Sequence, residues 1–179
     1  TVPMISRATA AAHHAPLWTI DRRRAQRAAR RYGPARSLLG ILWRQLATER
    51  RVRRNGQDFR QSDNAAACAA YVAMDDADFV HVNARQAWAN WRTIPRSLDG
   101  RLPARPVAGI DLCCGVGDST AVLAWCCPPG SRVHGLEISA DFVARGRRRA
   151  YHDHDGRSAT VTFGVQSVLE PWRDADGAI

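Results

Sequence analysis

Asp111, Gly115, Gly117 and Glu137 are the residues of this chain with the clearest chemical capability. Glycines one residue apart allow positive φ and leave no Cβ between the backbone and a ligand. They follow an apolar run, Val107 to Leu112, and precede a stretch that reads as a helix from Asp118. A helix that opens out of a glycine turn directs unpaired N–H groups and the positive end of its dipole at whatever lies in front of it. Glu137 follows Gly115 by 22 residues. That is close to the roughly 20 that separate a glycine turn from an acid accepting both hydroxyls of a ribose. The set therefore suits a nucleotide-like ligand held at its sugar by one lip and at a charged group by the other.

Strand and helix must alternate to bring these residues to one edge. Val107 to Leu112 reads as a buried strand, Cys113 to Gly117 as the turn, and Asp118 to about Trp125 as a helix that Pro128-Pro129-Gly130 stops. Arg132 to Glu137 is a second strand. Ser139 caps a helix from Ala140 to about Tyr151, and Ala159 to Gly164 is a third strand by alternation and β-branching. Pro171 to Asp176 reads as a loop, and Gly177 to Ile179 opens a fourth strand. The alternation predicts an α/β fold: a Rossmann-like parallel sheet with right-handed crossovers, incomplete at the C-terminus and preceded by an α-helical extension. His152 and His154 sit in a polar turn and read as solvated rather than as metal ligands, so no metal site is expected.

The N-terminal part has another character. All 26 basic residues are arginine, and residues 1–60 hold fourteen of them against three acids, whereas the rest holds twelve against fourteen. The net charge of +9 thus belongs to a basic leader, residues 1–60. The first twenty residues are expected to be mobile. Asp21 caps a helix that ends at Gly33-Pro34, and a second helix runs from about Ala35 to Arg54. In it Leu38, Leu39, Leu42 and Leu46 form an apolar stripe, with Ile41 and Trp43 at its flanks. The plain reading of 22–54 is a helical extension packing one face on the domain. The sharper one is peripheral contact with an anionic membrane. Only Tyr32 and Trp43 interleave the arginines, which argues against base stacking and so against nucleic acid.

Residues 61–105 read as a helical cap and linker. Ser62 or Asp63 starts one helix, Asp75-Asp76 a second, and Ile94-Pro95 ends the latter. Trp88 and Trp91 are expected in the core, and Arg92 is a candidate for a ligand carboxylate. Residues 106–179 read as the N-terminal half of a Rossmann-like ligand-binding domain. No apolar run reaches the roughly eighteen residues of a membrane span. Cys68 and the vicinal pairs Cys113-Cys114 and Cys126-Cys127 suit neither a disulfide framework nor zinc, so reduced thiols and a cytoplasmic location are expected.

NAD and S-adenosylmethionine both use such a layout. Thr120 stands where a dinucleotide fingerprint has its third Gly or Ala, and Asp111 before the turn suits an ammonium group and repels a pyrophosphate. With these residues, Asp111-Leu-Cys-Cys-Gly-Val-Gly-Asp118 resembles the first motif of class I S-adenosylmethionine-dependent methyltransferases, most similarly their ubiquinone/menaquinone C-methyltransferase branch. The resemblance covers roughly residues 106–179. It implies that Asp111, Gly115 and Gly117 hold the methionine half, Glu137 the ribose, and Ile138 the adenine face. Gln166 and Ser167 fall where the family often has Gly-Asp at the adenine amino group, and Cys113 falls where a glycine is common. The function implied is in-line methyl transfer to a small-molecule acceptor, lipophilic if the motif wording and the basic leader are followed. No residue is assigned as a catalytic base. The family's sheet has seven strands and this chain runs out in the fourth. A non-catalytic S-adenosylmethionine-binding or interaction module is therefore the alternative, and an NAD-dependent oxidoreductase the third reading. The sequence does not specify an oligomeric state.

Overall fold

The computed structural model of the chain describes residues 16–34, 37–56 and 64–171. Its elements are β1 Leu17–Trp18, α1 Arg22–Tyr32, α2 Leu38–Arg54, α3 Asn64–Val72, α4 Asp76–Leu98, β2 Leu102–Pro103, β3 Ala108–Leu112, α5 Asp118–Cys126, β4 Arg132–Glu137, α6 Ala140–Arg147 and β5 Thr160–Val165. The expected caps Ser62 and Asp63, the first fifteen residues and the fourth strand at Gly177 lie outside the described residues.

β3, β4 and β5 form a parallel sheet in that order, with Leu112 opposite Leu136 and Glu137 opposite Val165. Parallel strands need crossovers, and α5 and α6 supply them. The result is a Rossmann-like βαβαβ unit in which the ends of all three strands reach one edge. α5 lies between the sheet and the N-terminal helices. It is apolar nearly all round, and Thr120, Val122, Ala124, Trp125 and Cys126 are buried. On its outer side Trp125, Val122 and Cys126 pack with Trp91 of α4 and with Ile20, Ala25 and Ala28. Trp91 and Trp125 meet at 5.8 Å between ring centroids. Both rings are buried; Trp91 is in the core as its spacing predicts, but Trp88, expected there with it, is only half-buried and lies under the Arg92 guanidinium.

Several elements depart from the sequence reading. α4 does not end at Pro95 but carries it inside and continues to Leu98. Proline removes one backbone donor, yet its ring is buried, and Asp99 closes the helix by donating its N–H to the Pro95 carbonyl at 3.1 Å. The residues expected to be only a linker include β2, which pairs with β1, Leu17 opposite Pro103. α6 stops at Arg147 rather than near Tyr151, because the chain must leave the helix for Tyr151 to reach the core. There the Tyr151 hydroxyl donates to the Gly146 carbonyl at 2.8 Å. α2 meets α4 through Thr48 and Val52 and also buries Ile41, whereas Leu38, Leu39 and Leu46 of its leucine stripe are exposed. Val52 joins Met74, Phe79, Val82 and Val116 in one cluster, and that cluster fixes the helix's rotation.

His154 also departs from expectation. The polar turn buries it against Trp18, at 5.1 Å between centroids, and Trp125, at 4.5 Å. His152 stacks on Tyr32 at 4.5 Å. Asp155 and Arg157 of the turn face out while His154 fills a slot between β1 and α5 and His152 lies on α1, so composition alone reads the turn as solvated. Among the described residues no cluster of His, Cys, Asp or Glu could hold a metal ion.

Candidate functional site

The turn after β3 holds three residues at positive φ. Cys113 takes φ +55°, rare for a residue with a Cβ, and Gly115 and Gly117 take φ +55° and +84°. The Cys114 N–H donates to the Leu136 carbonyl at 3.0 Å and the Gly117 N–H to the Cys114 carbonyl at 2.9 Å. These bonds fold the turn down onto the end of β4. Gly117 then starts α5 with no side chain to cap it, so the helix's first amides are offered to other partners. The two glycines serve different neighbours. A Cβ on Gly117 would run into the Tyr151 hydroxyl and come within 3.0 Å of Phe163, whereas a Cβ on Gly115 would meet nothing within 4 Å. Gly117 is needed by the core, and Gly115 borders open space.

Glu137 reaches back across the strand ends. Its Oε2 accepts the Gly115 N–H at 3.0 Å and its Oε1 accepts the Ser139 N–H at 3.1 Å. The carboxylate therefore faces the glycine turn, where the spacing of the two motifs had placed it. Ile138 beside it is 70 % exposed, an apolar side chain held at the rim with no protein over most of it. Asp111 sits on the other side of the turn. Its Oδ2 accepts hydrogen bonds from Ser119, at 2.8 Å, and Thr120, at 2.6 Å, the first turn of α5. Thr120 thus ties the helix to the strand instead of making room for a pyrophosphate. The buried Cys114 thiol registers both acids. Burial pushes its pKa up to about 12, and the charges of Asp111 and then Glu137 push the same way.

Gln166 and Ser167 stand at the same edge but point elsewhere. The Gln166 N–H donates to the Glu137 carbonyl at 3.0 Å, which places its backbone beside β4, while its side-chain amide donates to the Pro171 carbonyl. Ser167 Oγ accepts the Leu169 N–H at 3.2 Å, closing a local turn. Arg92 does not approach the site. Its guanidinium lies over the Trp88 ring, 3.4 Å from the centroid, in a groove between α1 and α4 that no residue of the glycine turn lines. The arginine that does serve the turn is Arg149, which the sequence reading missed. It donates to the Val116 carbonyl at 2.9 Å and to Asp118 Oδ1 at 2.7 Å, anchoring the start of α5. The run Arg147-Arg148-Arg149 was the available signal, but nothing in its spacing pointed back to residue 118.

The arrangement can hold a ligand with a sugar diol toward Glu137 and an anionic group toward the start of α5, with Gly115 letting it approach closely. No protein-family model matches the chain, and no curated protein matches it. Among solved structures it is similar to magnesium protoporphyrin IX methyltransferase (ChlM) from Synechocystis PCC 6803 with bound SAH. The identity is 18% and the TM-score 0.39, with 68% of this chain and 54% of that one covered. The chain spans about half the length of that neighbour.

Proposed function

We propose that this protein is an S-adenosylmethionine-dependent methyltransferase acting on a small-molecule acceptor. One observation carries the reading: the Glu137 carboxylate faces the Gly115 amide at 3.0 Å, beside a glycine with open space where its Cβ would be. The residues fit the cofactor part by part. Glu137 accepts the ribose hydroxyls, and Ile138 gives an apolar rim against which adenine excludes water. The uncapped amides of α5 receive a carboxylate. Asp111, with one oxygen occupied by Ser119 and Thr120, presents negative charge to an ammonium group. Bound there, S-adenosylmethionine would supply a methyl group already activated by its sulfonium.

The protein's own task is then to position rather than to form covalent bonds. Holding donor and acceptor in line at near-attack distance supplies much of such a rate, and a base is required only for an acceptor that must lose a proton. Isothermal titration with S-adenosylhomocysteine tests the reading. We expect saturable binding that Glu137→Ala weakens at least tenfold, since a charge-assisted bidentate contact is worth roughly 1.5–3 kcal/mol. No heat at millimolar ligand would overturn it, and methyl transfer from labelled cofactor to a metabolite pool would separate an enzyme from a mere binder.

A further inference from the structure

The outward face of α2 begins apolar and ends cationic. Leu39 is 80 % exposed, Trp43 74 % and Leu46 50 %. At helical spacing they form one line that Arg50 and Arg54 continue. The helix cannot turn this line inward, because Thr48 and Val52 hold its opposite face on α4 and Ile41 on that face is buried. Glu49, the only acid of α2, is buried and accepts a hydrogen bond from the Gln45 side-chain amide. Arg51 is engaged with Asp78 on α4.

We infer that this face docks peripherally on an anionic phospholipid surface. A tryptophan ring among leucines suits the headgroup boundary, where one edge of the indole is apolar and the other wet. Each arginine near an anionic surface strengthens binding about fivefold, so the cationic end of the line adds what three apolar side chains lack. Charge also selects against a second copy of the chain, since self-association would bring together two molecules of net charge +9. Size argues the same way. The line from Leu39 to Leu46 rises only about 10 Å, against the roughly 800 Å² a side of a stable protein interface. No helix among the described residues is long and apolar enough to cross a membrane, so the contact is with the surface.

The test is co-sedimentation of the intact protein with phosphatidylserine-containing vesicles at low salt, with phosphatidylcholine vesicles as the comparison. We expect binding to the anionic vesicles only, weakened as salt rises. Leu39→Ser with Trp43→Ser should lower the partition at least tenfold, and Arg50→Gln with Arg54→Gln roughly 25-fold. These side chains are exposed, so circular dichroism and the melting temperature should stay as in the parent and exclude misfolding as the cause. Failure to pellet with anionic vesicles, or equal pelleting of the parent and the Leu39→Ser/Trp43→Ser variant, would overturn the inference. So would a dimer by light scattering that this variant dissociates, since the face would then belong to a second copy.

Discussion

Alanine at Gly117 and alanine at Gly115 should fail in opposite ways. The two glycines lie in one turn and both take positive φ, but a Cβ on Gly117 meets the buried Tyr151 and Phe163 rings, while one on Gly115 meets open space. The left-handed conformation costs alanine about 1–2 kcal/mol at either position. Overpacking adds about 1–3 kcal/mol at Gly117 only. Gly117→Ala should therefore lose roughly 2–5 kcal/mol of stability. At about 2–4 °C per kcal/mol for a chain of this size, the melting temperature falls by roughly 5–20 °C. Gly115→Ala should lose only the backbone part, about 1–2 kcal/mol. Its methyl group instead enters the space a ligand would use, so affinity for S-adenosylhomocysteine should drop at least tenfold, about 1.4 kcal/mol. Thermal melting by circular dichroism and titration calorimetry on both variants give the two numbers. Equal melting losses would refute the assignment of the Gly117 Cβ direction to the core. Unchanged affinity in Gly115→Ala would refute the placement of a ligand on that residue.

Other outcomes follow from burial and charge. Cys68 and Cys113 are exposed, while Cys114, Cys126 and Cys127 are buried with thiol pKa values pushed up, to about 12 for Cys114 and about 11 for Cys127. A thiol reagent at pH 8 should modify Cys68 and Cys113 rapidly and the other three only after denaturation, and S-adenosylhomocysteine should slow the reaction at Cys113. Burial, and then the Arg24 charge, lowers the His154 pKa below 6.5. The unfolded chain therefore takes up its proton first as pH falls. The stability this ring contributes is complete above pH 6.5 and is lost as pH drops from there through the folded value. His154→Phe should remove that acid-side loss, read as a smaller fall in melting temperature between pH 7 and pH 5.5 than in the parent.

Much of the site was legible in sequence because local rules govern it. A glycine pair after an apolar run fixes a turn, and parallel strands must end together, so Glu137 had to come to the edge that holds Gly115. β4 runs from Arg132 to Glu137 as its pattern requires. What escaped was long-range. Arg149 serves Asp118 from a different element, and His154 is buried by Trp18 and Trp125, neither of which is near it in the chain. The stripe of α2 misled because leucine content identifies an apolar face but not its neighbour. Burial went to Ile41, Thr48 and Val52, and α4 offered Phe79 and Val82 to the last of these. Pro95 ends a helix by its own preference, but here the buried ring sits within a helix that packs on α5, and that context prevailed.

The indole N–H of Trp18 donates to the Cys126 carbonyl at 2.8 Å, across 108 positions of sequence. Ile20, Ala25 and Ala28 likewise share a cluster with Trp91 of α4 and with Val122, Trp125 and Cys126 of α5, a helix made about a hundred residues later. During synthesis α1 waits, arginine-rich and incompletely buried, until residue 126 has been added. α1 then consolidates only after elements that follow it in the chain, and its high charge keeps it from premature collapse in the interval.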